Sequence, residues 1–526
     1  MIDWQFPYPS QRMPVVARNV VATSQPLAAA AGLDAMRRGG NAVDAALATA
    51  ITLTVVEPNN NGVGSDAFAI VGTDDGLAGL NASGRSPAGW TPERFSGRAH
   101  MPGLGWDSVT VPGAVSAWVA LSERFGRLPF AQLFDAAIGY ARDGFHVGPK
   151  TAYYWNLAAP QFRDFPDFIE HFVPHGRAPR AGELFKRPDL ARTLGLIAQS
   201  RGEAFYRGEL AEKMVAASRD GGGALSAEDL ALHRADWVTP IRQQYRDIEL
   251  HEIPPNGQGL AAQIGLAILN HFDLGSAPPD DERGIHLQIE AMKIAIRAAF
   301  DHFADEAAMR VTPAELLGAA ALAKLAATIG DEACPLPPVA LPVGHDTVYL
   351  TAADASGMMV SMIQSNFRGF GSGIVIPGTG ISMQNRGSGF VLDPAHPNRV
   401  GPSKRPYHTI IPGFVTQNGL PRMSFGVMGG HMQHQGHVQM VNRIFDHRQN
   451  PQAASDAPRW HVFPDFSVGL ETGFPASIAE RLAARGHVVR REQHEATFGG
   501  AQLIYKLDDG YCAASDHRKE GLAVGF

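Results

Sequence analysis

The sequence predicts an α+β protein with layered sheets, on three observations. Two helix patterns rich in small residues run into a short apolar strand near the start, the middle reads as amphipathic helix, and the last third turns to strand-length runs around tight turns.

The first helix signal begins at Ser24: Pro26 suits a first helical turn, an alanine-rich run covers 27–36, and Gly39-Gly40 stops it. Asn41 then caps a second helix over 42–56, whose small side chains imply close packing. This is the stretch nearest to a membrane span, but it contains Asp44 and is shorter than the ~20 apolar residues a bilayer needs. A turn-forming segment from Pro58 to Ser65 leads into a buried strand at 67–71. From 128 to 305 the pattern is mostly helical, as at 188–199 and 285–304, and reads as scaffold. An Ala/Leu-rich run at 314–329 precedes a proline-rich extended loop at 334–343. Then 347–353 and 358–364 flank the turn Asp354-Ala355-Ser356-Gly357, a β-hairpin reading. Further strands are predicted at 373–376, 381–384 and 424–427, and a helix at 437–445. A closing α-then-β run spans 476–485, 487–491 and 501–507, and no internal repeat is visible.

The chain has 526 residues, enough for roughly two to four domains or one large one. With 45 Lys+Arg against 52 Asp+Glu the net charge is -7, and neither sign forms a long run. Nucleic acid and anionic membranes are therefore poor electrostatic partners, and a small discrete substrate fits better. Cys334 and Cys512 read as ordinary small hydrophobes, and no metal or cofactor is expected. The first eleven residues lack a basic start followed by an apolar run, so no secretory signal is read and a cytoplasmic location is expected.

Thr347 opens its strand directly after the proline-rich loop. Alone this is a weak signal, because threonine favours strands. Chemistry gives the placement a further meaning. A threonine hydroxyl needs a base to take its proton, and a threonine at a chain terminus supplies one as its own α-amine, which titrates near ~7.7–8.0. The requirement is a break between Asp346 and Thr347, which the hydroxyl itself achieves by attacking the Asp346 carbonyl and forming an ester; a strained junction would favour it.

This region resembles the start of the small subunit of γ-glutamyltranspeptidases. The resemblance extends over nearly the whole chain: Ser24-Gln25-Pro26-Leu27, Gly39-Gly40-Asn41-Ala42-Val43-Asp44-Ala45-Ala46, Val56-Glu57-Pro58, the loop from Gly62 to Ser65, Pro112-Gly113-Ala114-Val115, Pro254-Pro255-Asn256-Gly257, Lys404-Arg405-Pro406, the glycines from Gly426 to Gly430, and Ser515-Asp516-His517-Arg518. It implies a four-layer αββα sandwich of the N-terminal nucleophile hydrolase type. It also implies a heterodimer cut from one precursor, with residues 1–346 as the large subunit and 347–526 as the small one; further pairing into homo-oligomers is left open. By the same match the Gly429 and Gly430 amides form the oxyanion hole. Ser365 stands where the family hydrogen-bonds its nucleophile, and a one-residue slip in the hairpin would exchange it for Gln364 or Asn366.

The sequence departs from the family where γ-glutamyl groups are held. Ser83 replaces the arginine that pairs the α-carboxylate, Gly389 the acid that pairs the α-amine, and His408-Thr409 a serine pair. An ammonium would be left unmatched in a desolvated pocket, at a cost of several kcal/mol. Arg85, Arg386, His408, Thr409 and Asn366 are the candidates for lining the rebuilt pocket, which reads as one for an anionic acyl group lacking an amine. The segments 384–390 and 404–412 look most like the branch containing oxamate amidohydrolase and the glutaryl-cephalosporin acylases. Two rivals stand beside this amidohydrolase reading and a true glutathione hydrolase: metal ligation by His431, His434 and His437, and an uncleaved binding protein.

Overall fold

A computed structural model of the chain describes residues 11–339, 346–492 and 494–526. Its centre is two seven-stranded antiparallel sheets lying face to face. The first runs, strand by strand, Leu522–Gly525, Val20–Thr23, Asp346–Ala353, Met359–Phe367, Asp66–Thr73, Gly76–Asn81 and Asp236–Val238. The second runs Val15–Ala17, Tyr511–Ala514, Gly500–Lys506, Leu420–Met428, Gly413–Gln417, Ile248–Glu252 and Ile241–Tyr245. Each sheet takes strands from both ends of the sequence, so the chain does not divide into successive sheet domains.

Apolar side chains of both inner faces, among them Phe68, Tyr349, Ile363, Phe414 and Ile504, fill the space between the sheets. The helices Pro26–Arg37, Ala42–Val56 and Ala114–Phe125 cover the outer face of the first sheet. Gly259–Leu269, Glu282–His302 and Met432–Val441 cover that of the second. This is the expected αββα order. The N-terminal signals act as read: Asn41 and Asp44 form a reciprocal capping box, and Gln25 caps the first helix with its amide oxygen.

Three expectations change. The helix placed at 437–445 begins at Met432 and ends in a π-helical turn, Asn442–Asp446, because its glutamines and histidines are buried on every side and give no apolar stripe to read. The region read as helical scaffold contributes Asp236–Val238, Ile241–Tyr245 and Ile248–Glu252, short strands with weak alternation. The Ala/Leu-rich run is two short helices, Pro313–Leu316 and Ala319–Ala326. Part of the proline-rich loop, 340–345, lies outside the described residues.

Side chains fix how the sheets meet. Thr351 Oγ1 lies 2.6 Å from Ser424 Oγ across the gap, and the Tyr349 ring fills the space over Gly426. A Cβ at Gly426 would fall 2.4 Å from ring atoms, so glycine is required there by close approach. Gly426→Ala is expected to overpack this interface and cost about 1–3 kcal/mol, read as a lowered urea midpoint; an unchanged midpoint would show that the sheets can part without cost.

Candidate active site

The hairpin predicted around residue 354 forms, with Asp346 paired to Phe367 and Val348 to Gln364. Between those pairs one strand advances two residues and the other three, so Thr347 sits at a bulge facing both Ser365 and Asn366. The bulge resolves the one-residue ambiguity. Thr347 Oγ1 donates to Ser365 Oγ at 3.1 Å, and Ser365 Oγ also accepts the Phe367 amide at 2.8 Å. Asn366 is turned away, its amide oxygen accepting from Ser65 Oγ at 2.8 Å. Phe367, opposite Asp346, has φ of 79°, a left-handed conformation that is strained for a bulky residue.

The sheet-on-sheet register carries this site to the second sheet. Thr351 meets Ser424 and Tyr349 meets Gly426, so the strand that carries Thr347 packs on the strand Leu420–Met428, which ends just before Gly429 and Gly430. Those glycines have φ of 120° and 59° and lead into the helix Met432–Val441, whose N-terminus adds a positive partial charge. Gln258 braces the turn. Its Nε2 donates to the carbonyls of Gly430 (2.9 Å) and Thr409, and its Oε1 accepts from Tyr407 Oη (2.8 Å) and meets His434 Nδ1 (2.9 Å).

Arg386 is fully buried on the short 3-10 helix Arg386–Gly389. Its Nη1 donates to Thr409 Oγ1 at 2.8 Å, its guanidinium carbon lies 4.1 Å from the Phe367 ring centroid, and among the described residues its Nε and Nη2 have no hydrogen-bond partner. Burial brings its pKa down to about 9, which still leaves it cationic at neutral pH. Thus Thr347, Ser365, Phe367, Arg386, Thr409, Gln258 and Gly430 form one continuous set of contacts.

The other candidates are placed differently. The structure does not bring Arg85 to this cluster: its side chain is 45% exposed and pairs with Asp305 at 3.1 Å. Ser83 hydrogen-bonds Asn81 Oδ1 at 2.7 Å, and a Cβ at Gly389 would lie 2.7 Å from the Tyr407 carbonyl, so the backbone there has no room for an acidic side chain. His408 is buried with Nε2 3.1 Å from Asp66 Oδ2. His434 Nδ1 meets Gln258 and His437 Nδ1 meets Glu252 at 2.6 Å, and among the described residues His431, His434 and His437 do not bring their ring nitrogens into a metal-like cluster. A separate buried group, His286, Glu290 and His487, has a metal-like spacing, but Lys293 Nζ holds the cation position, 2.7 Å from Glu290.

The sequence singles out neither Asp66 nor Gln258, because nothing local marks them: His408 lies 342 residues from Asp66 and Gly430 172 residues from Gln258.

A threonine near the start of a central strand of an αββα sandwich fits an amide hydrolase of the N-terminal nucleophile class. The chain belongs to the γ-glutamyltranspeptidase family, whose model matches residues 28–526. It is 35% identical to the oxamate amidohydrolase proenzyme of Klebsiella pneumoniae, covering 95% of this chain and 97% of that one. It is 33% identical to the glutathione hydrolase-like YwrD proenzyme of Bacillus subtilis, covering 97% and 98%. A crystal structure of cephalosporin acylase from Bacillus halodurans superposes with a TM-score of 0.96 at 45% identity, covering 100% and 99%. Among the described residues no helix is long and apolar enough to cross a membrane.

Gln258→Glu keeps the acceptor facing Tyr407 and His434 but sets a carboxylate against two carbonyls. Turnover is expected to fall about 100-fold, as when an oxyanion donor is lost, with circular dichroism unchanged; wild-type kcat would show that the Gly430 turn needs no brace.

Proposed function

We propose that the chain matures by breaking its own backbone between Asp346 and Thr347, and that the resulting heterodimer of residues 1–346 and 347–526 hydrolyses amides of a small acyl group bearing a second carboxylate. The observation that carries the substrate class is the buried Arg386 with two unpartnered donors, beside Thr409 and linked through Phe367 to the threonine. A guanidinium fork suits a carboxylate, and a buried unpaired one favours an anionic ligand strongly.

In the maturation step the Thr347 hydroxyl attacks the Asp346 carbonyl, the peptide becomes an ester, and water hydrolyses it. The left-handed Phe367 opposite the junction supports a strained precursor. In the mature protein the α-amine of Thr347 takes the hydroxyl proton as the hydroxyl attacks the substrate amide, and the Gly429 and Gly430 amides receive the oxyanion. Ser365 keeps the hydroxyl aimed. The protonated amine then passes its proton to the departing amine, and water repeats the sequence on the acyl ester.

The names of relatives, an oxamate amidohydrolase and a cephalosporin acylase, support an acyl group with a carboxylate and no amine. A γ-glutamyl substrate is disfavoured because position 389 has no room for an acid to meet its ammonium.

Intact mass and terminal sequencing should give two chains from wild type, one starting at Thr347, and one uncut chain from Thr347→Ala. A wild type that stays whole after long incubation returns the uncleaved binding protein. Among oxamate, a glutaryl anilide and a γ-glutamyl anilide, the γ-glutamyl compound should be the poorest substrate, and its preference would remove the pocket reading. Arg386→Gln is expected to raise KM for the carboxylate-bearing acyl group about 100-fold, the loss of a charge-assisted pair of hydrogen bonds, and to leave an uncharged acyl analogue nearly unaffected.

A further inference from the structure

Asp66 is a buried carboxylate that the chemistry above leaves without a task. It opens the strand Asp66–Thr73, with Oδ1 accepting the Gly84 amide at 3.0 Å and Oδ2 3.1 Å from His408 Nε2. His408 Nδ1 accepts the Ile410 amide at 3.4 Å, which leaves the ring proton on Nε2, pointing at Asp66. With both oxygens engaged, Asp66 is not a receptor for a substrate ammonium, and with both nitrogens engaged, His408 is not a donor to a substrate carboxylate.

The charged and titratable groups acting on this pair are Arg386, Arg405 and Tyr206, with the Gly84 and Gly113 amides adding to them. Arg405 is already committed, to Asp236 at 2.8 Å and the Ser83 carbonyl at 2.9 Å. Tyr206 is held neutral, because burial raises its phenol. Asp66 and Arg386 hold neighbouring residues of one loop, Asp66 meeting His408 and Arg386 donating to Thr409, and Asp66 also lies opposite Ser365 in the sheet, so the guanidinium charge sits close to the buried carboxylate and favours its charged form without a hydrogen bond to it.

We propose that Asp66 is a specificity-determining positioning residue: paired with His408 it balances the Arg386 charge before substrate binds, and it takes up a proton from solvent when a substrate carboxylate seats on Arg386. The proposal rests on the reading of Arg386 as the acyl carboxylate's seat. Two anions cannot share one guanidinium in a desolvated site cheaply, so one must be neutralised. The substrate carboxylate has the free Nε and Nη2 donors, so the solvent proton lands on an Asp66 oxygen and no covalent bond changes. Burial holds the Asp66 carboxyl up at about 7, while burial and the two arginines hold His408 well below its usual range. The pair therefore gains or loses one proton near neutrality as a unit.

The sign follows. Below about pH 7 the pair already carries its proton and an anionic acyl group binds unopposed. Above it, binding must be accompanied by proton uptake, and affinity falls by up to about tenfold per pH unit. An uncharged acyl group is indifferent to this step.

The test uses the mature protein from about pH 6 to 9, reading the inhibition constant of glutarate and the ratio of kcat/KM for a glutaryl anilide over its uncharged pentanoyl counterpart. The ratio cancels the titration of the Thr347 amine, which both substrates share. In wild type both readouts should worsen by up to about tenfold per unit above pH 7, whereas in Asp66→Asn they should be flat, with glutarate bound up to about 100-fold more tightly than by wild type near pH 9. A slope in Asp66→Asn equal to that of wild type overturns the proposal. If that variant does not mature, calorimetry of glutarate binding to wild type near pH 8, in two buffers of different ionisation heat, should show uptake approaching one proton; none overturns it. Arg386→Gln separates the two readings. An unchanged glutarate constant removes the anion seat and this proposal with it, whereas a raised constant with an unaltered Asp66→Asn slope removes this proposal alone.

Discussion

The site depends on how two flat surfaces are pinned together. The strand Asp346–Ala353 and the strand Leu420–Met428 are both interior strands of their seven-stranded sheets, and they meet through Tyr349 over Gly426 and Thr351 against Ser424. Because side chains alternate with period two, those two contacts fix which end of each strand lies over which. A slip of one residue would turn Thr347 outward. The apolar filling between the sheets supplies the adhesion, and the glycine and the hydroxyl pair supply the register.

Around this junction the protein buries an unusual amount of polarity. Gln258 alone joins two backbone carbonyls, a tyrosine and a histidine, so its amide is satisfied on both sides while the loops that it joins come from distant parts of the chain. Elsewhere the same logic closes the fold: Arg459 pairs with Asp516 and Arg518 with Glu471, all buried, fastening the segment 516–518 to the strands Trp460–Val462 and Val468–Glu471. Arg386 differs from these in degree: it is as buried, but among the described residues it leaves both Nε and Nη2 without partners, where Arg459 leaves Nε alone.

The two anion-related features have different origins. The glycine turn and helix N-terminus offer backbone dipoles, which are fixed in place and insensitive to pH. Arg386, Asp66 and His408 offer side-chain charge, whose balance shifts with protonation. On the proposed reading of Arg386, selection is by charge as well as by shape, since a carboxylate would need both a donor fork and a neighbour able to lose its own charge.

Local signals were legible where neighbours in sequence are also neighbours in space. Asn41 capping a helix, the hairpin turn at Asp354–Gly357, and a threonine opening a strand all express short-range stereochemistry, and the spread of family-like segments carried the αββα architecture with them. What the chain did not disclose was decided by packing between distant segments. Arg85 and Arg386 are the same residue type, yet one is drawn outward by Asp305 and the other is enclosed beside Thr409. The helix Met432–Val441 is buried all round and so lacks the amphipathic stripe by which a helix is recognised. The tasks of Asp66 and Gln258 arise only when folding removes water from them, because burial makes a carboxylate's charge costly and an amide's hydrogen bonds obligatory.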